Sequence, residues 1–133
     1  HMQPTVVLSP ALGGIVIGQE VGRALGVRSI FVERQDGKLV LRRGFTLDAS
    51  DRVLVVEDVI TTGLSTRETI AVAEGFGALV TGAAAIIDRG SDPARLNLPM
   101  QALVRLEVPT YAPEDCPLCA KGIPVVKPGS RAS

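Results

Sequence analysis

Residues 53–66 read VLVVEDVITTGLST. Four apolar residues run into two adjacent carboxylates, Glu57 and Asp58, and the loop Thr61, Thr62, Gly63, Leu64 and Ser65 follows three residues later. These residue types suit one kind of chemistry. Carboxylates accept hydrogen bonds from sugar hydroxyls. A hydroxyl-lined loop that opens a helix offers free backbone N–H groups and the positive end of the helix dipole, which favour a phosphate. Together they read as a clamp for a phosphorylated ribose, with the acids on the 2- and 3-hydroxyls and the loop on the 5-phosphate. An acid pair alone would more often simply cap a strand. The order of apolar strand, acid pair, two apolar residues, Thr-rich Gly loop and helix is far more specific. A P-loop is excluded because no Gly-Lys-Ser/Thr run is present.

The elements that must hold this clamp are legible as an alternation. TVVLS (5–9) reads as a buried strand, and residues 13–26 as a helix with Ile15, Ile17, Val21 and Leu25 inward and Gly26 as its stop. SIFVE (29–33) is a second strand. Residues 34–47 form an excursion with a hairpin turn at Asp36-Gly37. RVLVVED (52–58) is almost wholly apolar, as expected when both sheet faces are covered. A helix over 65–76 follows, with Ser65 as N-cap and Glu68 at the capping-box spacing. Strands are expected over 78–88 and 101–108. Strands joined by crossover helices imply an α/β fold with a doubly wound, mostly parallel sheet and flanking helices. In such sheets, ligands bind beyond the carboxyl ends of the strands, where Glu57 and Asp58 are expected to lie.

Composition narrows the class. The chain has 133 residues with 14 basic and 14 acidic side chains, which does not indicate a nucleic-acid surface. No run is apolar enough to span a membrane. The opening stretch lacks a basic leader, so a cytoplasmic setting is expected. Cys116 and Cys119 are too few for a disulfide scaffold and read as two reduced structural cysteines. A lone C-x-x-C cannot close a zinc site within one chain. The expected organisation is a cloning remnant at 1–2, a core over 3–110 and a proline-rich, extended C-terminal tail over 111–133 that packs on the core.

The stretch 53–66 resembles the signature of the type I phosphoribosyltransferases, which use phosphoribosyl pyrophosphate (PRPP). SPALGGI (9–15) is similar to that family's pyrophosphate loop, which would place Ala11, Leu12, Gly13 and Gly14 at the leaving group. ERQDGKLVLRRGF (33–45) looks like the mobile catalytic loop of the orotate phosphoribosyltransferases, with Arg34 and Lys38 as catalytic cations and Arg42 and Arg43 on PRPP. IIDRG (86–90) resembles the segment whose arginine meets the orotate carboxylate, so the resemblance puts Arg89 and Thr61 on orotate. CPLCAKGIPVVKPGSR (116–131) looks like the closing segment of a bacterial and archaeal branch of the orotate enzymes. Departures from the family pattern are Gly13 where some relatives carry Lys, Glu57 where many carry Asp, and a basic loop without histidine. The family's N-terminal hood segment is expected to be missing.

The resemblance implies transfer of ribose 5-phosphate from PRPP to orotate, giving orotidine 5′-monophosphate and pyrophosphate on the route to UMP. It further implies Mg²⁺ held through substrate and water rather than by direct protein ligands, a homodimer, and no nucleic-acid or membrane partner. Two other readings share these residues. One is a nucleotide-binding regulator of the same fold that turns nothing over. The other is a purine phosphoribosyltransferase, against which the basic 34–43 loop and Arg89 favour an acidic base.

Overall fold

The computed structural model describes residues 3–90 and 96–124. His1 and Met2, and the end of the closing segment from residue 125, lie outside the described residues. Six strands form one sheet, built from β1 (Val6–Pro10), β2 (Arg28–Gln35), β3 (Lys38–Leu41), β4 (Arg52–Ile60), β5 (Leu79–Asp88) and β6 (Met100–Arg105). Their spatial order is β3-β2-β1-β4-β5-β6. Only the β2–β3 pair is antiparallel, and it closes through the Asp36-Gly37 turn, where both residues have positive φ. The order reverses between β1 and β4, so the carboxyl ends of these two strands flank a crevice.

Helices α1 (Gly13–Leu25) and α2 (Leu64–Gly75) cover opposite faces. Strand alternation assigns the partners. Val6, Leu8, Val53 and Val55 pack with Ile70 and Ala73 of α2, while Val7, Leu54 and Val56 pack with Ile17 and Val21 of α1. With both faces covered, β1 is buried along its full length.

The inward face of α1 differs from the expected one. Its buried residues are Gly14, Gly18 and Gly22, and Leu25 is 49% exposed. Glycines spaced four apart line one helix face, and their lack of side chains lets the helix sit close on the sheet. A Cβ on Gly14 would come within 3.0 Å of the Val56 carbonyl oxygen. Ile17 and Val21 flank this row rather than lead it.

Strand boundaries also move, most of all in β4 and β6. β4 runs on to Ile60, two residues past the acid pair, because β5 continues to pair with it through Val59–Ile87 and Ile60–Asp88. β6 ends at Arg105, and residues 107–124 are exposed apart from Cys116. The tail holds two short 3-10 turns, Pro113–Asp115 and Cys119–Lys121. Cys116 and Cys119 are free thiols, and the Cys119 amide donates to Cys116 Sγ at 3.5 Å. That amide draws the Cys116 thiol below its ordinary pKa. No helix among the described residues is long and apolar enough to cross a membrane.

Candidate active site

Glu57 and Asp58 stand side by side on β4, so their side chains leave on opposite faces. Glu57 points toward α2 and is 5% exposed. Its Oε1 accepts the Thr66 hydroxyl at 2.6 Å and the Ser65 hydroxyl at 3.0 Å. Burial pushes the Glu57 carboxyl above the ordinary carboxylate range, and the hydroxyls of Thr66 and Ser65 oppose that shift. Both bonds end on Oε1, leaving Oε2 as the oxygen that can take a further donor.

These bonds overturn the expected N-cap. Ser65 lies inside α2, the cap residue is Gly63, which has no side chain to close the cap, and the Leu64 amide donates instead to the Thr62 hydroxyl at 3.3 Å. Gly63 adopts φ 74°, a left-handed conformation that glycine reaches without strain. The Ser65 hydroxyl is drawn to a buried carboxylate instead. Glu68 makes no capping box either, because its carboxylate accepts from Arg34 at 2.6 Å. The helix start therefore keeps first-turn N–H groups that have no intrahelical carbonyl to meet. Thr61 and Thr62 are exposed in front of it, and Arg67 folds back to donate to the Thr62 carbonyl at 2.9 Å.

Asp58 points toward α1. It is half-buried, and its Oδ1 accepts the Val59 amide at 2.9 Å. Gly13, the first residue of α1, lies directly against this carboxylate, so that any Cβ there would collide with it. The segment 11–14 and the acid pair thus converge on the crevice between β1 and β4. Within that segment the Ala11 amide is already engaged by the Val32 carbonyl at 2.7 Å, and the Ala11–Leu12 peptide is cis. Leu12 is 83% exposed and Gly13 opens the helix.

The four basic residues of the 34–43 segment sit on a short hairpin rather than a long loop. Arg34 bonds to the Gly37 carbonyl and to Glu68, which ties the hairpin to α2. Arg42 and Arg43 both pair with Glu33, at 3.3 and 2.8 Å. The Arg43 guanidinium beside it holds the Glu33 carboxyl below its usual range. Lys38 is exposed at the tip.

A cleft of about 490 Å³ opens beyond the ends of β5 and β6, lined by Arg89, Gly90, Arg105, Leu106, Glu107 and neighbouring residues. It includes Arg89 but not the acid pair. The two places adjoin, because the Arg89 amide donates to the Ile60 carbonyl at 2.8 Å. Thr61, the first residue of the hydroxyl loop, therefore stands beside Arg89. Sequence reasoning missed Asp88 and Arg105 here. Asp88 is fully buried, and its Oδ2 accepts from Arg105 Nε and Nη2 at 3.1 and 3.0 Å. The only sequence signal for this pair was an acid at the end of an apolar strand.

No family model matches the chain. Curated proteins do. The chain is 53% identical over 127 residues to the orotate phosphoribosyltransferase of Pelotomaculum thermopropionicum, a match that covers 96% of this chain and 67% of that protein. It is 51% identical over 129 residues to that of Chlorobaculum parvum, covering 97% and 67%. The chain thus spans about two thirds of the length of these relatives. Among solved structures, orotate phosphoribosyltransferase from Aeropyrum pernix superposes with a TM-score of 0.66 at 24% identity, covering 80% of this chain and 63% of that one. Adenine phosphoribosyltransferase from Thermoanaerobacter pseudethanolicus gives 0.68 at 15% identity, covering 77% and 71%. At those identities the likeness shows the fold alone. It is the type I phosphoribosyltransferase fold, as the sequence implied.

Proposed function

This chain belongs to the orotate phosphoribosyltransferase family, and from that premise we propose that it transfers ribose 5-phosphate from PRPP to N1 of orotate. The bond from C1 to pyrophosphate breaks, the bond from C1 to N1 forms as N1 gives up its proton to the departing pyrophosphate or to water, and orotidine 5′-monophosphate and pyrophosphate leave.

One observation carries the placement of the substrates. The β4–β5 register sets Thr61 beside Arg89, so the phosphate loop and the arginine-lined cleft share an edge. In this reading the first-turn amides of α2, with Thr61, Thr62, Gly63, Leu64 and Ser65, hold the 5-phosphate. Asp58 presents its half-exposed carboxylate to the ribose hydroxyls, and Glu57 reaches them only through Oε2. The pair holds the ring as C1 gains positive character. Leu12, Gly13 and Gly14 border the pyrophosphate, while the amide of Ala11 stays engaged with Val32. Arg89 takes the orotate carboxylate, beside Thr61.

The hairpin cations Arg34, Lys38, Arg42 and Arg43 meet the leaving group in this reading. Three of them are now paired with Glu33 or Glu68, so closure requires exchange of those exposed ion pairs. Solvent screens pairs of that kind, so they exchange readily. Closure would also exclude water and protect PRPP from hydrolysis.

Magnesium fits this donor set as an ion carried by substrate oxygens. Glu57 is engaged by two hydroxyls, and Asp58 is the carboxylate open enough to meet the hydration shell of the ion. Bound there, Mg²⁺ would neutralise charge on the pyrophosphate. A homodimer and a cytoplasmic setting belong to the same proposal, and light scattering on the purified chain tests the first.

The test of function mixes protein, PRPP, Mg²⁺ and orotate and follows the loss of orotate absorbance. Turnover with orotate, and none with uracil or hypoxanthine, is expected. Turnover with hypoxanthine instead would replace the orotate reading with a purine one.

A further inference from the structure

Asp88 ends β5 and is fully buried, yet its carboxylate organises the mouth of the cleft from below. Oδ1 accepts the Gly90 amide at 2.9 Å, just past Arg89, and Oδ2 accepts Arg105 Nε and Nη2 from β6. The Asp88 carbonyl accepts the Leu106 amide at 2.9 Å. One residue thus fixes the loop that carries Arg89 and the side chain of a second arginine in the same cleft. The Arg105 side chain is 61% exposed. Asp88 occupies only one edge of its planar guanidinium, and among the described residues Nη1 has no partner. An arginine anchored on one edge by a buried carboxylate presents its other edge at a fixed angle, which suits a planar anion. Glu107, also on the lining, limits the cleft's appetite for polyanions.

We propose that Arg105 is a second recognition residue for the carboxylate-bearing pyrimidine, and that Asp88 is the positioning residue that aims it. This rests on the orotate reading above and deepens it. Arg89 and Arg105 approach the base from two strand ends, so discrimination between carboxylated and plain pyrimidines is shared between them.

The test is equilibrium binding of orotidine 5′-monophosphate and of UMP, which differ by that carboxylate alone, to the whole chain without pyrophosphate. Wild type is expected to prefer orotidine 5′-monophosphate. Arg105→Gln is expected to weaken its binding about tenfold, the scale of one lost hydrogen bond to a charged group, and to leave UMP affinity unchanged. Arg105→Lys should recover part of the preference. A fold defect would weaken both nucleotides alike. Should Arg105→Gln fail to fold because the buried Asp88 carboxylate loses the Arg105 charge, the double variant Asp88→Asn with Arg105→Gln removes that buried charge and should show the same lost preference. A wild type that binds UMP as tightly as orotidine 5′-monophosphate sinks the orotate reading itself. A wild type with the preference, and an Arg105→Gln variant that keeps it in full, overturns this proposal alone and leaves selection to Arg89.

Discussion

Glu57 and Asp58 are one peptide bond apart and inhabit different environments. Glu57 faces α2, nearly sealed from solvent, and holds two hydroxyls of the first helical turn. Asp58 faces α1, half-open, and rests against a residue with no side chain. The strand pleat makes this division unavoidable. It teaches that an acid pair at a strand tip is two devices. The inner acid holds the first turn of α2, and the outer acid stays open to the crevice.

The sharpest way to break this division is Asp58→Asn. Orotate turnover is expected to fall by roughly 10²–10³, the cost of removing one preorganised electrostatic contact, with an unchanged circular dichroism spectrum. Wild-type turnover in that variant would reverse the roles of the two acids. Next comes Gly13→Ala. The new methyl meets the far end of the Asp58 side chain, which can swing away, so the fold should survive while the acid is misplaced. PRPP affinity by calorimetry should drop about tenfold, or ~1.4 kcal/mol, with the melting temperature nearly constant. An equal loss of stability would show that Gly13 serves packing only.

Thr66→Val probes the inner acid. It removes one of two hydroxyls from a buried carboxylate, and a group left short of a partner costs about 1–3 kcal/mol. Denaturant unfolding should register that loss, and a neutral result would mean that water replaces the hydroxyl. The smallest expected effect is that of Glu57→Gln on pH dependence. Because burial raises the folded pKa of Glu57, its contribution to stability is complete below the unfolded carboxylate pKa. It is lost as pH rises through the higher folded value. The Gln variant keeps an acceptor for Ser65 and Thr66 but has no charge to bury. Its melting temperature should be flat across that window, where wild type declines slightly. A parallel decline in both would assign the slope to other groups.

Much of this architecture was legible before any coordinates. The parallel strands announce themselves as unbroken apolar runs because both faces of β1 and β4 are covered. The Asp36-Gly37 turn announces its hairpin because few other dipeptides accept two positive φ angles in succession. The misses have a common cause. Ser65 followed by Glu68 is a sound local capping pattern, but local patterns cannot register a carboxylate arriving from β4 or an arginine arriving from β2. The α1 face was misjudged because apolar periodicity counts side chains, and here the closest approach to the sheet is made by residues that have none.

Residue order alone therefore determined the strand–helix alternation, the family and the position of the acid pair and hydroxyl loop, since each depends on neighbours within a few residues. Only the tertiary structure decided which acid is sealed, that Gly13 makes room for Asp58, and that Asp88 joins Arg105 to the loop of Arg89. Those pairings bridge 45, 17 and fewer residues of chain, and their geometry follows from the pleat and from sheet register, which no short stretch of sequence encodes.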